Sequence, residues 1–323
     1  MKAACINRYG RTEVLEITDV DIPAPEPNQV LLQVKAASIN PRDWLLMRGI
    51  YPFKKLAEPF PIVLGSDMSG TVIEIGANVT TLKVGDDVFG MQPIRGKFGA
   101  FAEYAVITES ALSIKPPGIS HAEAAAMPCA GMTSFQTIRD LAKLMPGETI
   151  LINGASGGVG TYAIQIAKSV GAHVVAVCGP DNQVLCKNLG ADETINYKTE
   201  NFEKQHNKYD VVYDVIGRSS PKKSRQALKR GGRYVSTIPS LGMVWQSGLS
   251  KVTALLKLNK QQTAHLTLVK PEGVDLAEMA ALCLKGKMKS IIDSRFSLEN
   301  TVAAFEKSQS WRAKGKIVIE IAN

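Results

Sequence analysis

The strongest chemical signal in the chain is the segment Asn153-Gly154-Ala155-Ser156-Gly157-Gly158-Val159-Gly160. It joins an apolar run, Thr149 to Ile152, to a stretch whose apolar residues Ala163, Ile164, Ala167 and Val170 fall at helical spacing. A tight glycine turn between strand and helix presents backbone N–H groups and the positive end of a helix, chemistry that suits a diphosphate. Gly157 and Gly158 allow close backbone approach, and Gly160 lets the helix pack on the strand. Ala155 stands where the usual fingerprint has its first glycine. The run His173 to Val177 completes a βαβ unit of the right size, so a nicotinamide dinucleotide is expected here, with Ser156 and Val159 in the same turn.

The elements that must position this turn are legible from the pattern around it. With 323 residues the chain has room for two domains with full cores. Residues 1 to 122 carry short alternating strands, Val30 to Val34, Gly70 to Ile75, Asp87 to Phe89 and Ala102 to Ile107, separated by turn signals. From residue 123 helices alternate with apolar strands: a helix near Gln183 to Leu189, strands at Thr194 to Asn196 and Tyr209 to Val215, a helix at Pro221 to Leu228, and strands at Arg233 to Thr237 and His265 to Val269. That alternation predicts a doubly wound parallel sheet over 123–269. Residues 270–323, with a helix near Leu298 to Ser308 and a strand at Lys316 to Ile321, are expected to return to the β-rich first domain. The basic amphipathic stretch 240–262 reads as a cover over the substrate site or a dimer contact in preference to a membrane-surface helix.

Composition removes several classes. No run of about 18 apolar residues is present, so no membrane span is expected. The N-terminus reads directly into a strand, and five scattered cysteines without a CxxC pair suit a reducing compartment, so a cytoplasmic location is expected. The net charge of +8 comes from dispersed lysines and arginines with no RNP-like aromatic motif, which disfavours nucleic acid as the main partner.

The β-rich start, the fingerprint Gly154 to Gly160, Leu189-Gly190-Ala191-Asp192, Asp210 to Asp214 with Gly217, and Lys314-Gly315-Lys316-Ile317-Val318-Ile319 resemble the medium-chain dehydrogenase/reductase superfamily. Within it the chain is most similar to the zinc-free quinone oxidoreductase branch, a resemblance that covers essentially the whole length. It implies an α/β protein built of a GroES-like catalytic domain and a Rossmann domain, acting as a homodimer. In zinc-dependent relatives a cysteine occupies the position of Asn40, and Gly-His-Glu corresponds to Gly65-Ser66-Asp67; here Ser66 replaces the histidine. The segment Gly90 to Glu103 lacks the four cysteines of a structural zinc lobe. None of the four histidines has a partner at metal-ligand spacing, so no zinc is expected.

Without a Lewis acid to ionise an alcohol, the favoured chemistry is hydride transfer to an already electrophilic acceptor, a quinone or an activated enone. The segment Ser38-Ile39-Asn40-Pro41-Arg42-Asp43-Trp44 through Tyr51-Pro52 resembles the quinone reductase stretch that lines the substrate pocket. Asn40 is then expected to donate its amide to a carbonyl oxygen, and Tyr51 its hydroxyl or a proton to the product; the plain alternatives are a turn asparagine and a core aromatic. A tyrosine of some relatives corresponds to Leu45. Asp43 beside Arg42 and Arg48 reads as a structural ion pair, and Asp67 as a backbone organiser. Thr133 matches the threonine that approaches the nicotinamide, or caps a helix. Ile238 and Pro239 follow a strand whose end should face the ring.

Cofactor choice turns on the end of the second parallel strand. Ala176-Val177-Cys178-Gly179-Pro180 holds no carboxylate before Asp181, which favours NADPH over NADH. The lysine that grips the 2′-phosphate in relatives aligns with Asn182, Tyr197 matches a tyrosine near the adenosine phosphate, and Lys187 lies far along its helix. The reading is a zinc-independent NADPH oxidoreductase for quinones or α,β-unsaturated carbonyls. An enoyl-thioester reductase is the nearest rival, and a non-catalytic NADPH-sensing or RNA-binding protein of crystallin type the rival of another class.

Overall fold

The computed structural model describes residues 1–52, 54–57, 59–93, 99–238 and 262–321, the side chains of 56 and 57 excepted. Pro239 and all but the last residue of the basic stretch 240–262 therefore lie outside the described residues. The chain divides into two compact units, Met1–Met132 with Lys270–Asn323, and Thr133–Val269.

The first unit is β-rich. β1 (Lys2–Ile6) lies between β2 (Leu15–Asp19) and β4 (Ile62–Val63) in a small sheet. The larger sheet is centred on β3 (Gln29–Ile39), whose eleven residues pair with β5 (Asp67–Ile75), β7 (Tyr104–Thr108) and β16 (Lys316–Glu320). β6 (Asp87–Met91), β8 (Leu112–Ile114) and β15 (Ile292–Ser297) complete it. Inward residues Val30, Leu32, Val34, Ile107 and Ile317 join Phe101 and Phe305 in one apolar core. α1 (Pro41–Met47) follows β3 immediately. The boundary between the units falls at 132/133, ten residues later than the sequence pattern placed it. The reason is that α2 (His121–Ala125) seats Ala122 and Ala125, with Ala126, against Ala36 and Val318 of the β-rich sheet. α3 (Pro128–Gln136) crosses the boundary.

The second unit holds a six-stranded parallel sheet. Its order is β11 (Glu193–Asn196), β10 (His173–Cys178), β9 (Thr149–Asn153), β12 (Tyr209–Asp214), β13 (Leu228–Ser236) and β14 (Thr263–Leu266). Ile150, Leu151 and Ile152 of β9 and Val174 to Ala176 of β10 are completely buried, the continuous apolar pattern of strands covered on both faces. The order reverses between β9 and β12, and in such sheets ligands bind beyond the carboxyl ends at that point. α4 (Gly158–Val170) follows β9 and ends at Gly171 in the left-handed conformation; α5 (Gln183–Asn188) and α6 (Pro221–Ser224) are short. α6 stops well before the expected Leu228 because that residue already starts β13, its side chain buried in the sheet core. β14 ends at Leu266 where the sequence suggested Val269: Thr267 extends the backbone pairing by one bond to Ser236, and Leu268 beyond it is exposed. α7 (Gly273–Leu284) and α8 (Thr301–Gln309) belong to the first unit.

Candidate functional site

Three strand ends converge in the β-rich unit. Ser38 lies opposite both Asp67 of β5 and Val318 of β16, so Asn40, one residue beyond β3, comes beside the first residues of both neighbours. Asp67 is fully buried and collects four donors. Its Oδ2 accepts from Ser38 Oγ at 3.0 Å, Asn40 Nδ2 at 2.9 Å and Lys316 Nζ at 3.4 Å; its Oδ1 accepts the Cys129 backbone N–H at 3.0 Å. Lys316, 3% exposed, also donates to the Ile39 carbonyl at 3.1 Å and to Asn40 Oδ1 at 2.5 Å, so its three protons meet three acceptors.

This network changes the reading of Asn40. Its amide donates to Asp67 and, at 3.3 Å, to the Ser38 carbonyl, while its oxygen receives Lys316. Every polar atom of the side chain is engaged by the protein, so donation to a substrate carbonyl would have to displace one of these bonds. Asn40 sits at the turn from β3 into α1, with Pro41 at the first helical position. Asp43 turns back to accept the Asn40 backbone N–H at 2.7 Å, and its other oxygen receives Ser66 Oγ at 3.4 Å. The expected ion pair between Arg42 and Asp43 is absent among the described residues: Arg42 Nη1 donates to the Met91 sulfur at 3.3 Å. Arg48 rests over the Trp44 ring and donates to Gln309. Tyr51 is half-buried at the edge of the apolar core, and its backbone N–H donates to Leu45.

Burial raises the Asp43 carboxyl to about 7, against the lowering effects of Arg42 and the Asn40 N–H. A carboxyl whose folded value lies above its unfolded value of about 3.9 loses stability as pH rises from there towards 7 and levels off beyond. Asp43→Asn removes that titration. Urea unfolding is therefore expected to show the variant gaining stability relative to wild type between pH 4 and pH 7; a difference independent of pH would mean that Asp43 is ionised throughout.

The donor set does not fit zinc. Asp67 and Asn40 already receive hydrogen-bond donors, and the Lys316 ammonium stands where a dication would meet like charge. Burial, followed by the charge of Asp67, holds the Cys129 thiol up at about 11, far from the thiolate a metal needs. No group of three or more His, Cys, Asp or Glu has metal-binding geometry among the described residues.

In the parallel-sheet unit, Gly157 is the N-cap of α4 and offers no side chain to the first-turn N–H groups. A Cβ on Gly160 would lie 2.3 Å from the Gly154 carbonyl oxygen, so only glycine lets the helix close on the turn there; a Cβ on Gly157 meets nothing nearer than 3.6 Å. Asn182 Nδ2 donates to Ser156 Oγ at 3.1 Å, while Asn182 Oδ1 is buried without a hydrogen-bond partner. Tyr197 is exposed, with its ring alongside Gly179, and its N–H donates to the Cys178 carbonyl. The turn residues Ala155 to Gly160 thus share the carboxyl edge with Cys178, Asn182 and Tyr197. Ser134 Oγ donates to the Val159 carbonyl at 2.8 Å, which brings the α3 segment holding buried Thr133 against the start of α4. Ile238 follows β13 on the same edge, 40% exposed. Lys187 is committed elsewhere, donating to the Asp192 carbonyl. The uncapped N–H groups and the orphaned Asn182 oxygen fit a dinucleotide.

Two residues of the sequence motifs, Lys316 and Asp214, have organising roles that only the fold reveals. Lys316 was visible as a lysine opening an apolar strand, but its partners lie in β3 and β5. Asp214, fully buried, accepts from Asn153 Nδ2, the Gly217 and Ser219 N–H groups and the Tyr234 hydroxyl, and so shapes the loop after β12. The signal for it was an acid at the end of an otherwise apolar strand.

Comparison with known proteins places the chain in a family. Residues 26–117 match the alcohol dehydrogenase GroES-like domain, and residues 189–319 match the zinc-binding dehydrogenase family. The chain is 36% identical to a chloroplast envelope quinone oxidoreductase homolog of Arabidopsis thaliana, covering 99% of this chain and 98% of that one. It is also 36% identical to 2-methylene-furan-3-one reductase of Solanum lycopersicum, over 99% and 79% of the two chains. The solved quinone oxidoreductase from Coxiella burnetii superposes with a TM-score of 0.87 at 32% identity, covering 100% and 99%. The chain belongs to the medium-chain dehydrogenase/reductase superfamily and is quinone oxidoreductase-like within it. It is an oxidoreductase of the NAD(P)-binding dehydrogenase family, with a GroES-like unit and a Rossmann-type parallel sheet.

Proposed function

We propose that this chain is a zinc-independent, NADPH-dependent reductase of quinones or α,β-unsaturated carbonyls. The observation that carries the reading is the bare N-terminus of α4, whose glycine turn keeps its first N–H groups free of any capping side chain. When bound, the nicotinamide supplies hydride. The residues from Ala155 to Gly160 hold the diphosphate, Thr133 and Ile238 border the ring, and Cys178, Asn182 and Tyr197 receive the adenosine end, with Pro239 assigned to the ring by sequence alone. NADPH is favoured because β10 runs out in Cys178-Gly179-Pro180 with no carboxylate to repel a 2′-phosphate.

In the β-rich unit, Asn40 and Asp67 fix the entry to α1, and Tyr51 donates its hydroxyl or a proton to the product. Relatives named for quinone and for an exocyclic enone point to small electrophilic acceptors. The donor chemistry around Lys316 supports operation without zinc. We assign the protein to the cytoplasm on its five free thiols, and to a homodimer on family likeness; no helix among the described residues is long and apolar enough to cross a membrane.

Fluorescence titration with NADPH and NADH, followed by consumption assays against benzoquinone and methyl vinyl ketone, tests this. Tighter NADPH binding with turnover of either acceptor is expected. Absence of binding to both nucleotides overturns the reading, and preference for NADH overturns the cofactor assignment.

A further inference from the structure

Arg42 is a charged group of the α1 entry whose placement the network around Lys316 does not explain. It occupies the second position of α1 with its side chain half-buried. Among the described residues its Nη1 meets only a thioether, a weak acceptor, and its Nε is buried with no hydrogen-bond partner. The nearby carboxylates are spoken for. Asp43 is held by the Asn40 N–H and Ser66, Asp67 by Ser38, Asn40, Cys129 and Lys316, and no ion pair involves Arg42 among the described residues. Cys129 stays a neutral thiol, so it does not balance the guanidinium. Arg48 makes the contrast clear: it shares an unpartnered Nε, but its guanidinium is stacked on Trp44 and bonded to Gln309, a joint between α1 and α8.

A guanidinium cannot shed its proton, and an unmet buried donor is costly, so such a group marks a place where negative charge arrives from outside. We propose that Arg42 binds the acceptor's carbonyl oxygen and holds the negative charge that develops there during reduction. This rests on the reductase reading above. In the step, hydride brings two electrons to the β-carbon of an enone, the C=C pair moves toward the carbonyl carbon, and the carbonyl pair settles on oxygen. A proton from Tyr51 or water then completes the saturated ketone. For a quinone the hydride and one proton give the hydroquinone. Arg42 transfers nothing; it stabilises the oxyanion. Neither Asn40 nor Lys316 serves this role, since their donors are already committed.

Wild type, Arg42→Met and Arg42→Lys are compared in two measurements, with Arg42→Gln as the replacement if the methionine variant fails to fold. In turnover with NADPH and benzoquinone or methyl vinyl ketone, Arg42→Met is expected to lose about 10²- to 10³-fold in kcat with an unchanged KM for NADPH, and Arg42→Lys to lose less. In a spectrophotometric titration with para-nitrophenol, wild type is expected to bind the phenolate and lower the phenol's pKa by about one unit, and Arg42→Met to do neither. Where wild type turns acceptors over, an unchanged kcat or unchanged phenolate binding in Arg42→Met overturns the proposal. Where wild type turns over none, the reductase reading falls, and phenolate binding lost in Arg42→Met identifies Arg42 as an oxyanion site of another reaction.

Discussion

Gly157→Asp is expected to abolish NADPH binding while leaving the protein folded. Gly157 has φ −82° and ψ −179°, extended backbone open to any residue, and the space its Cβ would enter is clear to 3.6 Å. Aspartate at an N-cap is favoured over glycine by about a few tenths of a kcal/mol, because its carboxylate accepts first-turn N–H groups. The helix is therefore held at least as well as before. Those same N–H groups are the ones assigned to the diphosphate, and a carboxylate now stands among them. Like charge against like charge costs several kcal/mol, and each 1.4 kcal/mol is tenfold, so NADPH affinity is expected to fall by at least about 10²-fold. Fluorescence titration measures the loss, and thermal unfolding shows the fold intact. Gly160→Ala is the informative contrast: its methyl would stand 2.3 Å from the Gly154 oxygen, so its damage registers in stability as well. Unchanged NADPH affinity in Gly157→Asp would place the diphosphate elsewhere.

What the sequence displayed clearly was local. The β9–α4 turn is read from residues within one βαβ unit, and continuous apolar strands announce a parallel sheet without any long-range information. What it hid depends on register. Lys316 meets the Ile39 carbonyl across 277 positions, a contact that exists only because β16 pairs with β3 so that Ile317 faces Ile39. Arg42 and Asp43 looked like a pair because they are neighbours, yet successive residues at a helix start point in different directions. Asp43 turns back to cap the helix, and Arg42 is left to Met91. The family resemblance implies that Asn40 donates to substrate, and burial between two strand ends engages those same atoms internally. The helix expected through Leu228 was cut short by sheet packing, which outranks the local preference of Lys222 to Gln226.

Lys316→Met carries the largest expected cost to stability. Methionine fills nearly the same volume, so the packing of the β16 start survives and the loss isolates the charge. Asp67 keeps Ser38, Asn40 and the Cys129 N–H, but it becomes a fully buried carboxylate with no cation in contact among the described residues, and Asn40 Oδ1 and the Ile39 carbonyl each lose a donor. Removing one partner of a buried ion pair typically costs about 3–5 kcal/mol, much of it the stranded charge. Urea denaturation is expected to show a loss in that range. Lys316→Met combined with Asp67→Asn should recover most of it, because the uncompensated charge is gone while the amide oxygen still accepts hydrogen bonds. Simple loss of packing predicts the reverse: two separate costs that add. A single variant that loses less than about 1 kcal/mol would mean that water reaches Asp67, and that the junction of β3, β5 and β16 is looser than its hydrogen bonds require.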